Sequence, residues 1–587
     1  SAPEALIAYL NEASEFALAI IEADAAGASA MAAAAVGDAV EEELSLPLLA
    51  AAEKAEQQQE PERRAVLLGV SKADNDAVSV RADVAALSVL KPLLEDQAIA
   101  KQSADAKTAM RLLDRFGIEL RGIRDDVSLY SYLLNPTYSS HSLAETAMRR
   151  FNLKLAGTPA EAADVTGRLA RAFRTEIGEL RSVYETIDLP LVPVLARMEK
   201  VGVAVDLKEL SRLSEFLDRE SNAIAERVYA IADERFNINS PKKLGEVLFD
   251  KLGLPKPLKY GKGRVVSTAA DVLEELAEAH EIARLVLEYR QLTKLKGTYV
   301  DALPALVDTG TGRVHTTFNQ TGTATGRVSS NNPNLQNIPI KTELGREIRA
   351  AFIPKPGNIL MSADYSQIEL RLLAHFSQDP LLVDAYTTGK DIHTLTASEV
   401  FGVDPTQMDS TTRNRAKAVN FGIVYGISPF GLAAQLGIEQ KTAREYITRY
   451  FERYSGVQRY IEHVLAETRE GQSVKTMFGR TRPIPDINSK NSNMRGFAER
   501  TAVNTPLQGT AADLIKLAMI AIDREVTERK LKSMMTLQVH DELVFDVELD
   551  EVDEMRELVK RNMESVATLS VPLDVDLGVG PNWRDMD

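Results

Sequence analysis

Three titratable side chains, His540, Asp541 and Glu542, interrupt the apolar run LQVHDELVF (537–545). Charge is costly to bury without a counter-charge, so two adjacent carboxylates inside a strand-like alternation call for an explanation. A tight turn with its acids in water is one; a carboxylate pair that holds a cation is another. A further acid stands in a similar setting. In LMSADYSQIELRLLAHF (360–376), Asp364 follows the apolar run ILMSA and precedes the helical pattern QIELRLLAHF, which puts it at a strand end. Two such carboxylates suit magnesium, a hard ion that takes oxygen ligands and completes its shell with water and substrate phosphate. Asp364 and Asp541 are therefore the candidates for a pair of ions ~3.5–4 Å apart, one acting on an attacking oxygen and one on a leaving group.

Between these acids lies RNRAKAVNFGIVYGI (413–427). Arg413, Lys417, Phe421 and Tyr425 recur every four residues, and on an α-helix they drift by only ~40° per step, so they share a face. Two cations can neutralise a triphosphate, and an aromatic ring can stack on a base or sugar. A solvated basic helix would account for the cations and core packing for the aromatics. A ligand that is anionic at one end and planar at the other, such as a nucleotide, accounts for both.

The elements that carry these residues belong to a chain of 587 residues, too long for one core and long enough for several domains. Apolar and charged fractions of 44% and 26% are ordinary for a globular protein, and the absence of cysteine excludes disulfides, thiolate catalysis and Cys-ligated zinc. A net charge of −16 argues against a surface that is basic all over but not against a basic groove. The run AAGASAMAAAAVG (25–37) is too short and alanine-rich to span a bilayer, and SAPEALIAYLNE lacks a basic n-region, so the expectation is a cytoplasmic protein with no membrane partner.

Residues 1–180 alternate short apolar runs with helical stretches such as DAKTAMRLLDRFGIEL (105–120), the pattern of an α/β domain. ETIDLPLVPVLARMEKVGV (185–203), with its two prolines, reads as a boundary. From 207 to 306 two long amphipathic stretches flank FNINSPKKLGEVLF (236–249), where Ser240 can N-cap a helix that starts at Pro241, and the basic LKYGKGR (258–264). A protruding arm and a plain bundle fit that pattern equally. Residues 350–375 and 533–580 read as strands with turns, and 391–530 as mostly helical.

DYSQIELR (364–371), RNRAKAVNFGIVYG (413–426) and LQVHDELVF, reinforced by TGRVSSNNPNLQNIP (325–339) and NTPLQGTAADLIK (504–516), resemble the family A DNA polymerases across residues 190–587. The resemblance implies a multidomain α/β and α+β fold: an RNase H-like, exonuclease-type domain (1–180) followed by a right-hand polymerase. The latter divides into a lead-in to the palm (181–206), thumb (207–306), palm (307–375), fingers (376–499) and palm again (500–587). It implies synthesis of DNA on a primer–template from deoxynucleoside triphosphates, with two magnesium ions, by a monomer. Asp364, Asp541 and the carbonyl of Tyr365 match metal ligands, with Glu542 beside them. Lys417 and Arg413 match the residues that hold the incoming triphosphate, Lys417 also as proton donor to pyrophosphate, with Gln367 and His393 as further nucleotide contacts. Phe421 matches a sugar-stacking ring, Tyr425 the residue under the templating pair, and Glu369 a steric gate against a ribose 2′-hydroxyl. Arg327, Arg500, Asn504 and Gln508 match contacts to the primer–template, and His540 and Gln538 lie near the primer end.

The chain departs from the family in its first third. RFGIELRGI (115–123) and AEAADVTGRL (160–169) align with the proofreading domain, yet Ala19 and Ile21 stand where the first-strand acids belong, Ala109 at the middle acid, and Thr158 and Ala162 at the last Tyr/Asp pair. Glu22 and Asp24 are shifted candidates, but a one-residue shift turns a side chain to the opposite face of a strand. An exonuclease-type fold without exonuclease activity is expected, and no 5′-nuclease domain within these residues. Rival readings are weaker. An HD-type phosphohydrolase would need several helical histidines, whereas the seven here are scattered. A non-catalytic DNA-binding scaffold leaves Asp364, Asp541 and Lys417 unexplained. A single-subunit RNA polymerase shares the Arg-Lys-Tyr helix, but Glu369 and Phe421 point away from it. RTRP (480–483) reads equally as a solvated loop or a template contact.

Overall fold

The structure is a computed structural model that describes residues 2–10, 13–23, 65–256, 266–340 and 342–586. The alanine-rich run 25–37, Asp24 and the basic stretch 258–264 lie outside the described residues.

Five strands build the sheet of the N-terminal domain: β1 (Glu15–Glu22), β2 (Ala65–Ala73), β3 (Asp76–Asp83), β4 (Ala100–Ser103) and β5 (Ile123–Asp126). They lie in the order β3-β2-β1-β4-β5, antiparallel on the β3 side of β1 and parallel on the β5 side. Phe16 and Leu18 of β1, with Leu68 and Val70 of β2, close one core. A second core, around Val127, Leu169, Phe173 and Tyr184, also takes in Phe478 and Leu517 from far along the chain, so the domain is welded to the C-terminal part of the molecule rather than tethered to it. The boundary stretch 185–203 is helical for most of its length. Residues 189–201 form a helix, Leu189–Val201, which continues from a π-helical turn, Tyr184–Asp188, and carries Pro190 and Pro193.

Beyond it come the short strands β6 (Val203–Val205), β7 (Arg313–Val314), β8 (Thr317–Asn319), β9 (Ser329–Asn331) and β10 (Phe352–Ile353). The helical region between β6 and β7 is led by Leu207–Ala232, 26 residues capped by Asp206, and returns through Glu281–Leu295. Its outer half has a core of its own, including Val228, Leu244, Leu248, Leu273 and Val286. Ser240 does accept from the Lys243 N–H and so caps the helix Pro241–Gly245.

The central sheet joins β11 (Asn358–Tyr365), after which a helical stretch carries the hairpin β12 (Ser473–Lys475) and β13 (Thr481–Pro483), to β14 (Met534–Val539), β15 (Glu542–Glu548) and β16 (Val575–Gly580). Its order is β14-β15-β11-β16, antiparallel throughout. The 38-residue helix Ser492–Arg529 packs against helix Ile368–Ser377, which comes directly after β11. Residues 533–580 are not all strand, because Val552–Glu564 is a helix whose Met555, Leu558, Val559 and Met563 recur at helical spacing and are buried.

One carboxylate ties these parts together below the surface. Asp188 receives Arg480 Nη1 and Nη2 at 2.8 and 2.9 Å and Lys516 Nζ at 2.8 Å. Arg480 also donates to Asp513 from Nε and Nη2, at 2.9 and 2.8 Å. All four side chains are buried. Burial alone would raise the Asp188 carboxyl, but Arg480 and Lys516 outweigh it and hold the group well below the usual carboxylate range. The RTRP stretch is therefore neither solvated loop nor template contact at Arg480: it is an internal cation.

Candidate active site

LQVHDELVF is not one strand. His540 and Asp541 form a two-residue hairpin turn between β14 and β15, with Val539 paired to Glu542 and His540 in the left-handed region at φ +55°. The turn accounts for the backbone, but it does not send its acids into water, since Asp541 and Glu542 remain half-buried. The Tyr365 N–H donates to the Asp541 carbonyl at 3.3 Å, which stitches this turn to the end of β11.

That register lines up three carboxylates. Asp364 pairs with Glu542 on one side and with Asp576 of β16 on the other, so the three side chains stand abreast on one face. The Asp364 carboxyl, though open to the cleft, is pushed up to about 7 by the protein packed around it and next by Glu542, Asp541 and Asp576. Burial likewise raises the Asp541 carboxyl, with Arg327 opposing. It also raises Glu542, opposed by the Trp583 Nε1–H at 3.0 Å and by Arg349 at 3.7 Å. Arg349 in turn lies over the Trp583 ring at 3.8 Å. Among the described residues no set of three or more Asp, Glu or His side chains is arranged as a ready-made metal cage. The donor set nonetheless fits a hard cation: the side chains of Asp364, Asp541, Glu542 and Asp576 offer oxygen ligands only, and burial raises the carboxyls of Asp364, Asp541 and Glu542 even though Arg327 and Arg349 oppose it.

Glu369 sits in the first turn of helix Ile368–Ser377, almost fully buried. Its two oxygens are held separately, Oε1 by Arg327 Nη2 at 2.8 Å and Oε2 by the Tyr425 hydroxyl at 2.6 Å. Burial still raises this carboxyl despite both donors. Three separated motifs thus meet at one side chain. Gln367, in the left-handed region at φ +54°, starts the same helix and accepts from the Tyr386 hydroxyl at 3.0 Å.

Arg413, Lys417 and Phe421 lie along helix Ser410–Val424, while Tyr425 is just past its end and breaks the regular stripe. Arg413 is paired with Asp391 at 2.6 Å and Lys417 is exposed. His393 does not reach the surface. It is buried, accepts from Asn420 at 3.0 Å, lies 6.0 Å from the Phe421 ring and is pushed down to about 4, mainly by burial. It reads here as a support for Phe421 rather than as an open ligand.

Of the residues matched to the primer–template, Arg500 lies over Gly426, next to Tyr425. Asn504 and Gln508 come next on the same long helix at intervals of four, both half-buried, and Asn504 Oδ1 is a buried acceptor with no hydrogen-bond partner in the structure. His540 is exposed at the hairpin tip. Gln538 is turned inward, donating to the His540 carbonyl at 2.6 Å and accepting from Gln336 at 3.1 Å. The sequence reading missed Asp576, Arg349, Trp583 and Asn420. Alternation in LDVDLGV carried a signal for Asp576; the rest are placed only by the fold.

In the N-terminal domain Ala19 pairs with Gly69 in the sheet, and Ala109 is buried in helix Ala106–Asp114. Thr158 serves as the N-cap of helix Pro159–Glu176, accepting from Glu161. Glu22, the shifted candidate, is ion-paired with Arg115.

An RNase H-like domain fused to a sheet with acids at its centre and helical regions on either side defines the right-hand class of nucleic-acid polymerase. Residues 207–585 match DNA polymerase family A, and residues 55–155 match the ribonuclease H-like domain of DNA polymerase I. The chain belongs to DNA polymerase family A. It is 45% identical to DNA polymerase I of Pseudomonas aeruginosa over 531 residues, covering 85% of this chain and 58% of that protein. Against DNA polymerase I of Geobacillus stearothermophilus identity is 44% over 516 residues, 84% of this chain and 59% of the relative. The chain thus spans little more than half the length of these relatives. A solved structure of the POL domain of Pol1 from M. smegmatis, in complex with DNA primer-template and dNTP, superposes with a TM-score of 0.86 at 36% identity, covering 99% of this chain and 98% of that one.

Proposed function

We propose that this chain extends the 3′-hydroxyl of a DNA primer along a template, consuming deoxynucleoside triphosphates and releasing pyrophosphate. One observation carries the reading: Asp364, far from Glu542 in sequence, stands beside it on the sheet face, next to the turn that holds Asp541, and Glu369, Arg327 and Tyr425 border this group. Residues 207–306 act as thumb, 376–499 as fingers and the central sheet as palm. Bacterial cytoplasm fits this role, and no helix of the described residues is long and apolar enough to cross a membrane.

Asp364, Asp541 and the Tyr365 carbonyl would hold two magnesium ions, with Glu542 kept close by Trp583 and Arg349. When bound, magnesium makes the primer hydroxyl a better nucleophile and offsets charge on the phosphates. The side chains do the positioning. Arg413 and Lys417 draw the triphosphate to one end of their helix, and Lys417 gives a proton to the departing pyrophosphate. Phe421 packs on the sugar, while Tyr425 meets the templating pair. Glu369, fixed at both oxygens, fills the space a 2′-hydroxyl would need. Arg327, Arg500, Asn504, Gln508, His540 and Gln538 align the primer–template. Primer extension with magnesium and the four deoxynucleotides tests the reading; a soluble, folded preparation that binds duplex but adds no nucleotide overturns it.

Two further outcomes are expected. Glu369→Ala should admit ribonucleotides at least about tenfold more readily, since the cavity left behind no longer excludes the hydroxyl; the ratio of kcat/KM for the two sugars measures it. The N-terminal domain should leave a mismatched 3′ end intact, because aliphatic Ala19, Ile21, Ala109 and Ala162 cannot bind a metal and Glu22 is engaged with Arg115. Shortening of labelled primer above a no-enzyme control would contradict this.

A further inference from the structure

The N-terminal domain lacks the acids of a nuclease, yet one of its side chains reaches into the polymerase. Tyr132, on helix Val127–Leu134, is 1% exposed, and its hydroxyl donates to the Thr323 carbonyl at 2.8 Å, 191 positions along the chain. Thr323 begins the loop that delivers Arg327. The Thr323 hydroxyl donates to the Arg327 carbonyl at 2.8 Å, folding the loop back on itself. Arg327 then donates to Glu369 Oε1 at 2.8 Å. A continuous hydrogen-bonded path therefore runs from the degenerate domain to the residue that faces the incoming sugar.

The loop has little freedom elsewhere. Gly326 sits at φ +92°, and a Cβ there would lie 3.0 Å from Cδ and Nε of Arg480, itself locked between Asp188 and Asp513. The Thr325 carbonyl is pressed against Gly509 of the long helix, where a Cβ would come within 3.1 Å of it. Arg480 and the long helix thus bound the loop on the polymerase side. Tyr132 provides the contact from the N-terminal domain, with its ring 5.9 Å from the Arg480 guanidinium.

We propose that Tyr132 is a positioning residue for sugar selection: through Thr323 and Arg327 it fixes Glu369, so the nuclease-like domain works as a brace for the polymerase site. The inference rests on the proposed function, since it concerns the selectivity of that site. Removing the hydroxyl leaves the half-buried Thr323 carbonyl without this donor, and the loop carrying Arg327 relaxes.

The test compares single-turnover incorporation of deoxy- and ribonucleotides by the whole chain. Tyr132→Phe keeps the ring and should narrow the preference for deoxynucleotides by about 3- to 10-fold, the scale of one lost hydrogen bond. Arg327→Ala should narrow it further, and the double variant should match Arg327→Ala alone, because Tyr132 acts through Arg327. Thr323→Val, which cuts the next bond of the path on the polymerase side, should shift the preference in the same direction and serves if Tyr132→Phe folds poorly. An unchanged preference in both Tyr132→Phe and Thr323→Val, or losses that add in the double variant, would overturn the proposal. Wild-type extension is read in the same experiment, so failure of the polymerase reading shows itself separately from failure of the brace.

Discussion

Asp541→Ala is expected to lower primer extension by about 1000-fold or more, the scale on which removal of a group that stabilises developing charge is felt. Its hold on the fold is a backbone one: the carbonyl, not the carboxylate, accepts from the Tyr365 N–H, and alanine keeps that bond. Burial holds the carboxyl above its ordinary range despite the opposing Arg327, so the folded protein gains nothing from its charge in the absence of metal. Duplex affinity should therefore change little, and thermal stability measured with chelator present should stay level or rise. Rapid-quench extension, anisotropy with labelled duplex and a melting curve separate these effects. Extension within tenfold of wild type would remove Asp541 from the chemistry; a collapsed melting curve would make it structural.

Asp188→Ala should produce the largest loss of stability. It strips Arg480 and Lys516 of a shared partner in a site closed to water. Breaking a buried pair by removing one member costs about 3–5 kcal/mol, because the remaining charge cannot be rehydrated cheaply. Lys516 is left stranded while Arg480 keeps Asp513, so the loss should fall within this range. Urea denaturation monitored through the single tryptophan, Trp583 on the polymerase side, reports it. Asp188→Asn, which keeps one of the two acceptor oxygens, should lose less. Equal midpoints for wild type and Asp188→Ala would mean that the network contributes nothing.

The two substitutions probe different kinds of legibility. Asp364 and the Arg413–Lys417–Phe421 series could be read in the chain because chemistry there is written in short windows: a strand end, a helix face, an apolar run interrupted by acids. LQVHDELVF allowed a tight turn at its centre but did not show that such a turn would keep Asp541 and Glu542 half-buried, since valine and leucine continue on both sides. Val552–Glu564 was hidden the same way, its helical spacing lying between two strand-like runs. Asp188, Arg480 and Lys516 are separated by 292 and 328 positions, and nothing local distinguishes a cation that will be internal from one that will be wet. Trp583 and Arg349 are similar cases; what they do becomes evident only when β15 brings Glu542 beside them. Tyr425 was placed correctly near its helix but one step beyond the end, and His393 gave no sign of how deeply Asn420 and Phe421 would enclose it.

The Asp188 knot bears on how such a chain can be recombined. A graft that swaps the first 180 residues for those of a relative would keep Asp188, Arg480 and Lys516 but replace the tyrosine that rests on them, and a graft made at 190 would exchange the anion while leaving its cations behind. The seam visible in the amino-acid order is therefore a poor place to cut: hybrids should tolerate crossovers inside the outer arm, which owns a separate core, far better than at the apparent junction.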